Sequence, residues 1–228
     1  MEWKASAEVV MYLLKEFPEG TKVKDDTKFL PLHFAIRSGF SDDVVLAVLE
    51  QYPDGAKEAG QDGLLPLHWA VTKQHWPPEK QASEKVVSKL LELFPEGAQV
   101  KDDNGKLPMQ LAMEQQQYTA NATGAVVRLL DKADPTFRKA QEIGPLHWAL
   151  MSNAPIEEVV ALLEEQPGAA EKTSEYIGYG KLPLHTACTY QASKAVVNAL
   201  INKHSSGTSQ KDNVPPLWIP APASPLAS

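Results

Sequence analysis

The chain has a single cysteine, Cys188, among its 228 residues. One thiol can form neither an internal disulfide nor a site built from several thiolates, and this scarcity favours a reducing compartment. Long apolar runs are also missing, since none approaches the ~18 residues that cross a bilayer. The N-terminus is amphipathic and contains acidic residues, unlike a signal peptide. We therefore expect an intracellular, cytoplasmic protein with no transmembrane segment.

Positive charge is scarce, with 22 lysines and arginines against 29 acidic residues and a net charge of −7. A phosphate backbone repels such a chain on average, so nucleic acid is not the expected partner. The Gly178-Tyr179-Gly180-Lys181 segment lacks the first glycine and the final Ser/Thr of a phosphate-binding loop. No catalytic triad, carboxylate pair or metal cluster stands out. We expect no enzymatic activity, no metal and no cofactor.

The sequence contains one six-residue motif in five versions. They are LPLHFA (30–35), LPLHWA (65–70), LPMQLA (107–112), GPLHWA (144–149) and LPLHTA (182–187). Their prolines are spaced by 35, 42, 37 and 38 residues, a period that indicates small helical units stacked in a row. Because proline suits the first position of a helix, we expect a short first helix to begin at each of Pro31, Pro66, Pro108, Pro145 and Pro183.

A longer second helix is marked by a Val-Val pair with two more apolar residues about one turn later. The pairs are Val9/Val10, Val44/Val45, Val86/Val87, Val126/Val127, Val159/Val160 and Val196/Val197. This spacing places the four apolar residues on one stripe of a helix. A proline follows five of the pairs after eight or nine residues and should end the helix. Ser41, Ser83 and Ser193 are expected to cap second helices with their hydroxyls. Since there are six second helices and five first helices, the chain begins with a half unit.

These residues together resemble ankyrin repeats from residue 1 to about 213: Pro-Leu-His-x-Ala opens a short helix, Val-Val-x-x-Leu-Leu follows, and a turn with Asp and Gly separates units. The resemblance implies an all-α solenoid of five helix pairs plus an N-terminal half unit (1–213), followed by a proline-rich tail (214–228). The chain departs from the family pattern where leucine or glycine replaces the usual threonine before Pro-Leu-His. Gln110 replaces a histidine, which predicts a weaker third unit.

The recurring histidines are His33, His68, His147 and His185. Equivalent residues in successive layers lie about 10 Å apart, whereas zinc ligands lie within ~2.1 Å of one centre, so these histidines cannot share an ion. The resemblance implies instead that they bond backbone groups of the turns between units. We expect Trp69 and Trp148 to lie in the core and Cys188 to be buried and inert.

The resemblance also implies a contact surface for a protein partner on the concave side, made of turn tips and the ends of first helices. In the turns it assigns Asp26, Thr27, Phe29, Gln61, Asp62, Leu64, Asp103, Asn104, Lys106, Tyr179 and Lys181. At the helix ends it assigns Arg37, Ser38, Thr72, Lys73, Glu114, Gln115, Met151, Ser152, Thr189 and Tyr190. Charged, amide and aromatic groups in this mixture suit a peptide or protein surface.

Units two and three carry insertions that include residues 73–80 and 115–121. Trp76 lies in a polar loop beside two prolines, and two interpretations are open: an exposed anchor for a partner, or a side chain folded over the base of its own loop. In the tail, Pro216-Leu217-Trp218 echoes Pro-Leu-His, but Pro220 and Pro222 prevent a sixth first helix, so we expect extended polyproline-like chain.

The expected function is therefore non-catalytic protein binding, as a scaffold or an assembly subunit. Two other hypotheses are open. The half unit at residue 1 is compatible with a targeting or regulatory arm of an enzyme whose catalytic part lies outside this chain. The chain can also be a subunit permanently buried in a large complex.

Overall fold

A computed structural model describes residues 6–72, 83–116, 124–176 and 180–203. Across these ranges the fold is all-α, as predicted, and its one β-type contact is an isolated bridge between Ser174 and Lys181. The α-helices are α1 (Ala7–Glu16), α2 (Pro31–Arg37), α3 (Asp42–Gln51), α4 (Pro66–Val71), α5 (Glu84–Leu93), α6 (Pro108–Gln116), α7 (Gly124–Ala133), α8 (Thr136–Ala140), α9 (Pro145–Met151), α10 (Ile156–Glu165), α11 (Pro183–Thr189) and α12 (Lys194–Lys203). Short 3-10 helices span Pro18–Lys22, Pro53–Lys57, Pro95–Gln99 and Pro167–Glu171.

All five first helices (α2, α4, α6, α9 and α11) begin at the predicted prolines. In three of them the histidine two residues after the proline accepts a hydrogen bond at Nδ1 from the amide that precedes the proline. These bonds join His33 to Leu30, His68 to Leu65 and His185 to Leu182, each at 3.1 Å. Gln110 makes the same bond, because its Oε1 accepts from the Leu107 amide at 2.9 Å. The glutamine thus replaces the histidine at this cap, which removes the reason to expect a weaker third unit.

Replacing Gln110 with alanine is expected to lower the free energy of unfolding by about 1 kcal/mol, the usual cost of losing a side-chain cap. Gln110→His restores the acceptor found in three other first helices and should stay within about 0.5 kcal/mol of the parent chain. Urea titration followed by circular dichroism measures both. Equal losses in the two variants would show that the Leu107 amide does not need this acceptor.

The second helices α1, α3, α5, α7 and α10 each end two residues before a proline, as predicted. Four of those prolines open a 3-10 helix, whereas Pro135 is followed by α8. Ser83 and Ser193 accept hydrogen bonds from the amides of Val86 and Val196 at 3.4 Å, which confirms two of the caps. The third predicted cap is wrong: Ser41 directly precedes α3, but its hydroxyl makes no capping hydrogen bond with the helix.

Successive helix pairs pack on one another, with one interruption. First helices pack in the order α2, α4, α6 and then α9 with α11, while second helices pack in the order α1, α3, α5, α7 and then α10 with α12. Between the third and fourth pairs, α6 with α9 and α7 with α10 are not among the closely packed helices of the described chain. The buried apolar residues form two clusters. The larger runs from α2 to α7 and also takes in Trp148 and Met151 of α9 and Tyr190, and the smaller joins α9 to α12.

Three sequence predictions about single side chains are decided by burial. Trp148 is buried in the core, as predicted. Trp69 is half-buried, with its ring edge-on to Phe29 at 5.9 Å and the Arg37 guanidinium 5.3 Å from its centroid. Cys188 is exposed, so the prediction of a buried thiol is wrong. Its position in a first helix is covered only when another helix pair follows, and no further pair follows α11–α12 among the described residues.

Candidate functional site

The junction between the third and fourth helix pairs is held by contacts of α7 with the end of α9. Arg128 donates from one guanidinium nitrogen to the carbonyl oxygens of Ser152 (2.6 Å) and Asn153 (3.1 Å). Gly124, the first residue of α7, lies so close to this segment that a β-carbon there would come within 2.3 Å of the Ser152 oxygen. A glycine and an arginine one turn apart therefore fix the position of α9.

A cleft opens at this junction between α6 and α11, and we call it the junction cleft. It has a volume of about 380 Å³ and is lined by Gln110, Met113, Glu114, Tyr176, Lys181, Thr189 and Tyr190. The lining residues come from the third pair, from the turn before the fifth pair, and from the fifth pair itself.

The two tyrosines of the junction cleft remain protonated at neutral pH. Burial raises the pKa of Tyr176, and the charge of Glu114 raises it further. Burial, with a smaller contribution from Tyr176, raises the pKa of Tyr190 to about 12. The Tyr176 ring packs edge-on against Phe137 of α8 at 5.8 Å, which supports its position. Both phenols therefore keep their hydroxyl proton, and Tyr176, which is 37% exposed, can donate a hydrogen bond to a ligand.

The charged groups at the cleft differ in their pairing. The Glu114 carboxylate forms an ion pair with Lys106 at 2.8 Å. Lys181 has no carboxylate within salt-bridge distance among the described residues. Its backbone is held firmly, because its carbonyl is 3.0 Å from His147 Nε2 and accepts a bond from the Ser174 amide at 3.0 Å. Within the part of the chain that the structure describes, the cleft thus combines an ammonium group that has no ion-pair partner with a carboxylate that is paired to Lys106.

The structure brings four of the predicted contact residues together in the junction cleft: Glu114, Lys181, Thr189 and Tyr190. Lys106 joins them through its ion pair with Glu114. Exposed elsewhere along the row are Asp26, Thr27, Arg37, Gln61, Asp62, Asp103 and Asn104, while Ser38, Leu64 and Thr72 are half-buried. Outside the described residues lie Lys73, Trp76 and Tyr179, together with the side chain of Gln115. The two interpretations of Trp76 therefore stay predictions.

Four predicted contact residues are buried in this chain. Tyr190 is 6% exposed although it lines the junction cleft, and for the other three side chains the prediction is wrong. Met151 is 0% exposed and Ser152 is 1% exposed, because the end of α9 is covered at the junction by α7. Phe29 is 9% exposed and packs against His33 and Trp69 with ring centroids 5.4 and 5.9 Å away. These three side chains stabilise the packing of units and are not available to a partner.

Two aspartates that sequence reasoning did not select build the exposed turns. Asp25 Oδ1 accepts hydrogen bonds from the amides of Thr27 (3.0 Å) and Phe29 (2.8 Å). Asp102 Oδ1 likewise accepts from the amides of Asn104 (2.9 Å) and Lys106 (2.8 Å). Aspartate commonly closes turns in this way, and its repetition two residues after Val23 and Val100 was not used as a signal. The turn tips are therefore preformed rather than ordered by a ligand.

A second surface, at the N-terminal end, was also missed as a contact region. The apolar faces of α1 and α2 enclose a groove of about 660 Å³ whose lining includes Leu13, Phe17 and Phe34. Phe17 is 66% exposed, Leu13 48% and Phe34 42%, which is unusual for large apolar side chains. The half unit in the sequence was the available signal, because a second helix without its first helix leaves its apolar stripe uncovered.

The described residues show neither a candidate metal site nor a candidate membrane span. They contain no group of three or more His, Cys, Asp or Glu residues that could hold a metal ion. None of their helices is both long enough and apolar enough to cross a membrane. No protein-family model matches the sequence, and no curated protein matches it.

Proposed function

We propose that this chain is a divergent ankyrin-repeat protein, an α-solenoid that binds a protein partner without catalysing a reaction. We further propose that the junction cleft is the centre of its binding surface. One observation supports this most strongly: four residues assigned to partner contact by the repeat register converge on one cleft, although they belong to α6, to α11 and to the turn before α11.

The dimensions of the cleft favour a segment of polypeptide over a metabolite. A volume of about 380 Å³ is at the low end for a small-molecule site and suits one or two side chains of a peptide. Exposed turn tips such as those near Asp62 and Asn104 extend the polar surface beyond the cleft. A stable complex would bury about 1,600 Å² in total, more than the cleft itself provides, so the partner also contacts these tips.

The chemistry of the cleft favours a partner segment rich in hydrogen-bond acceptors. Tyr176 supplies an exposed, protonated phenol, and Lys181 supplies an ammonium group without a carboxylate partner in the described chain. Glu114 is already neutralised by Lys106. A carboxylate side chain flanked by apolar residues fits this set, because the tyrosine rings add apolar contact area beside the donors.

The test is selection of binders from a displayed library of random 12-residue peptides on the immobilised chain. Enriched peptides should share an acidic residue, and their binding should fall at least about tenfold in Lys181→Glu, the effect of losing one charge-assisted hydrogen bond and adding repulsion. Thr189→Trp should also abolish binding, because Thr189 is exposed and a larger side chain there fills the cleft. Isothermal calorimetry on the purified peptides measures the change.

Two matched variants separate cleft binding from general damage. Ser88→Trp places the same bulk beside Glu50 and Lys85, in a depression between α3 and α5 on the second-helix side, and should leave binding unchanged. The double exchange Lys106→Glu/Glu114→Lys keeps the ion pair while reversing its polarity. If the enriched peptides bind Lys181→Glu and Thr189→Trp as tightly as the parent, the cleft is not the binding surface.

A further inference from the structure

Helix α1 exposes two apolar positions that are covered in every other second helix of the described chain. Val9 and Leu13 are each 48% exposed. Their equivalents, all at most 6% exposed, are Val44 and Val48, Val86 and Leu90, Val126 and Leu130, Val159 and Leu163, and Val196 and Leu200. Because α12 buries these positions with no described pair after it, their cover comes from the first helix of the same pair and from the preceding pair. The described residues provide neither for α1.

The first helix α2 shows the same gap. Phe34, three residues after the opening proline of α2, is 42% exposed. At the same position of later first helices, Leu111, Trp148 and Thr186 are at most 6% exposed, and Trp69 is half-buried against Phe29 of the preceding pair. The groove of about 660 Å³ between α1 and α2, which we call the N-terminal groove, therefore lies where a first helix lies in each later pair.

The chemistry of the N-terminal groove suits contact with a copy of itself. None of the described residues that line it is charged, although the chain as a whole has a net charge of −7. The hydroxyl of Thr21 in the lining donates to the Pro18 carbonyl at 2.7 Å and is thereby satisfied. A two-fold axis brings the same patch of both copies together, so charges of one sign in the lining would repel. A neutral, apolar lining avoids this cost.

The exposed apolar area is large enough for a dimer. The exposed parts of Val9, Leu13, Phe17 and Phe34 amount to about 300 Å² per copy, taking about 200 Å² for a whole phenylalanine and about 100 Å² for a valine or leucine. Because homodimer interfaces are about 65% apolar, this area corresponds to about 1,000 Å² of buried surface in the two copies together. A specific interface needs about 1,000 Å², so the area fits a weak, reversible dimer.

We propose that two copies of this chain form a symmetric dimer through the N-terminal groove, with α1 of each copy covering the groove of the other. Val9, Leu13 and Phe17 are spaced by four residues and share one face of α1. The two α1 helices lie antiparallel about a two-fold axis at Leu13, so Val9 of each copy packs on Phe17 of the other. The dimer uses none of the residues that line the junction cleft and goes beyond the proposed function.

Sedimentation equilibrium of the full chain between about 1 and 200 μM tests the proposal. The parent should show a monomer–dimer equilibrium with a Kd on the order of 10–100 μM, as expected for a small interface. Phe17→Glu should raise the Kd at least about tenfold, because each dimer would then bury two carboxylates. Phe17 is 66% exposed, so the variant should keep its helices, which far-ultraviolet circular dichroism checks.

Val23→Glu is the matched control, because Val23 is 64% exposed and does not line the groove. It makes the same change of charge and should leave the Kd as in the parent. A parent chain that stays monomeric throughout the concentration range would overturn the proposal and leave the groove to another protein. So would a dimer that Phe17→Glu does not weaken, since it would form through a different surface.

Disulfide trapping tests the antiparallel arrangement. With Cys188→Ser as background, Leu13→Cys gives each copy one thiol, and the two thiols should meet at the two-fold axis. Mild oxidation should convert this variant to a covalent dimer at least about tenfold faster than Val23→Cys on the same background. Equal rates for the two thiols would contradict a two-fold axis at Leu13.

Discussion

Replacing Gly124 with leucine is expected to lower the free energy of unfolding by about 3 kcal/mol, the upper range for forcing extra atoms into a packed site. The first added atom would already lie 2.3 Å from the Ser152 carbonyl oxygen and 2.9 Å from the Asn153 β-carbon. Because backbone is in the way, no side-chain rotation relieves the clash, and α7 must move from the end of α9. Chemical denaturation followed by circular dichroism measures the loss.

The same variant should also change the shape of the transition. The contacts of Arg128 with Ser152 and Asn153 depend on the close approach at Gly124 and join the two apolar clusters. Once they are lost, the helix pairs on either side of the junction should unfold in separate steps, since rows of repeats are coupled only through neighbouring interfaces. Peptide binding at the junction cleft should be lost together with the stability.

Gly144→Leu is the control for this prediction. It makes the same substitution at the residue before Pro145, where the other four units carry leucine and where an added β-carbon meets nothing within 4 Å. Its free energy of unfolding should stay within about 0.5 kcal/mol of the parent or rise. Equal losses in Gly124→Leu and Gly144→Leu would contradict a specific role of the close approach at the junction.

Acidification below about pH 6.5 is expected to destabilise the chain steeply. Burial lowers the pKa of His33, His68 and His147 below 6.5, although the Lys181 carbonyl partly offsets the effect at His147 and the Asp102 charge does so at His68. The unfolded chain therefore binds more protons than the folded one in this range. The free energy of unfolding is highest above pH 6.5 and decreases as the pH is lowered. Each histidine changes the free energy of unfolding by at most about 1.4 kcal/mol per pH unit, and the three together by about 4 kcal/mol per pH unit.

The double variant His33→Gln/His68→Gln tests this assignment. Glutamine keeps an acceptor for the amides of Leu30 and Leu65, as Gln110 does for Leu107, but it does not titrate. The slope of unfolding free energy between pH 6.5 and 5 should fall to about one third, because only His147 of the three still titrates. Urea titrations at several pH values measure the slope. An unchanged slope in the double variant would place the acid sensitivity in other groups.

Much of the local structure was predictable from the sequence because it follows from rules that act within a few residues. Proline lacks an amide hydrogen, so it opens a helix readily and cannot continue one; this placed the starts of α2, α4, α6, α9 and α11 and the ends of the second helices. The apolar stripes predicted which faces are buried. The role of Gln110 as the cap of α6 was also predictable, since a glutamine oxygen reaches the same amide as a histidine nitrogen.

The candidate site was only partly predictable. The repeat register selected Glu114, Lys181, Thr189 and Tyr190 one by one, but nothing in their spacing indicated that α6 and α11 share a cleft. The same register wrongly selected Met151 and Ser152, because it assumes that every unit meets the next in the same way. Gly124 was the one hint of an irregular contact, as the other second helices of the pairs begin with larger residues.

The sequence by itself determined the all-α class, the starts of the first helices, the ends of the second helices before proline and the caps at Ser83 and Ser193, because each depends on neighbours along the chain. Tertiary structure alone decided which units meet, and therefore that Cys188 is exposed, that Met151 is buried and that the row is interrupted before α9. Exposure is a property of a residue together with whatever packs over it. In a row of similar units, that covering surface belongs to a segment some 35 to 42 residues away.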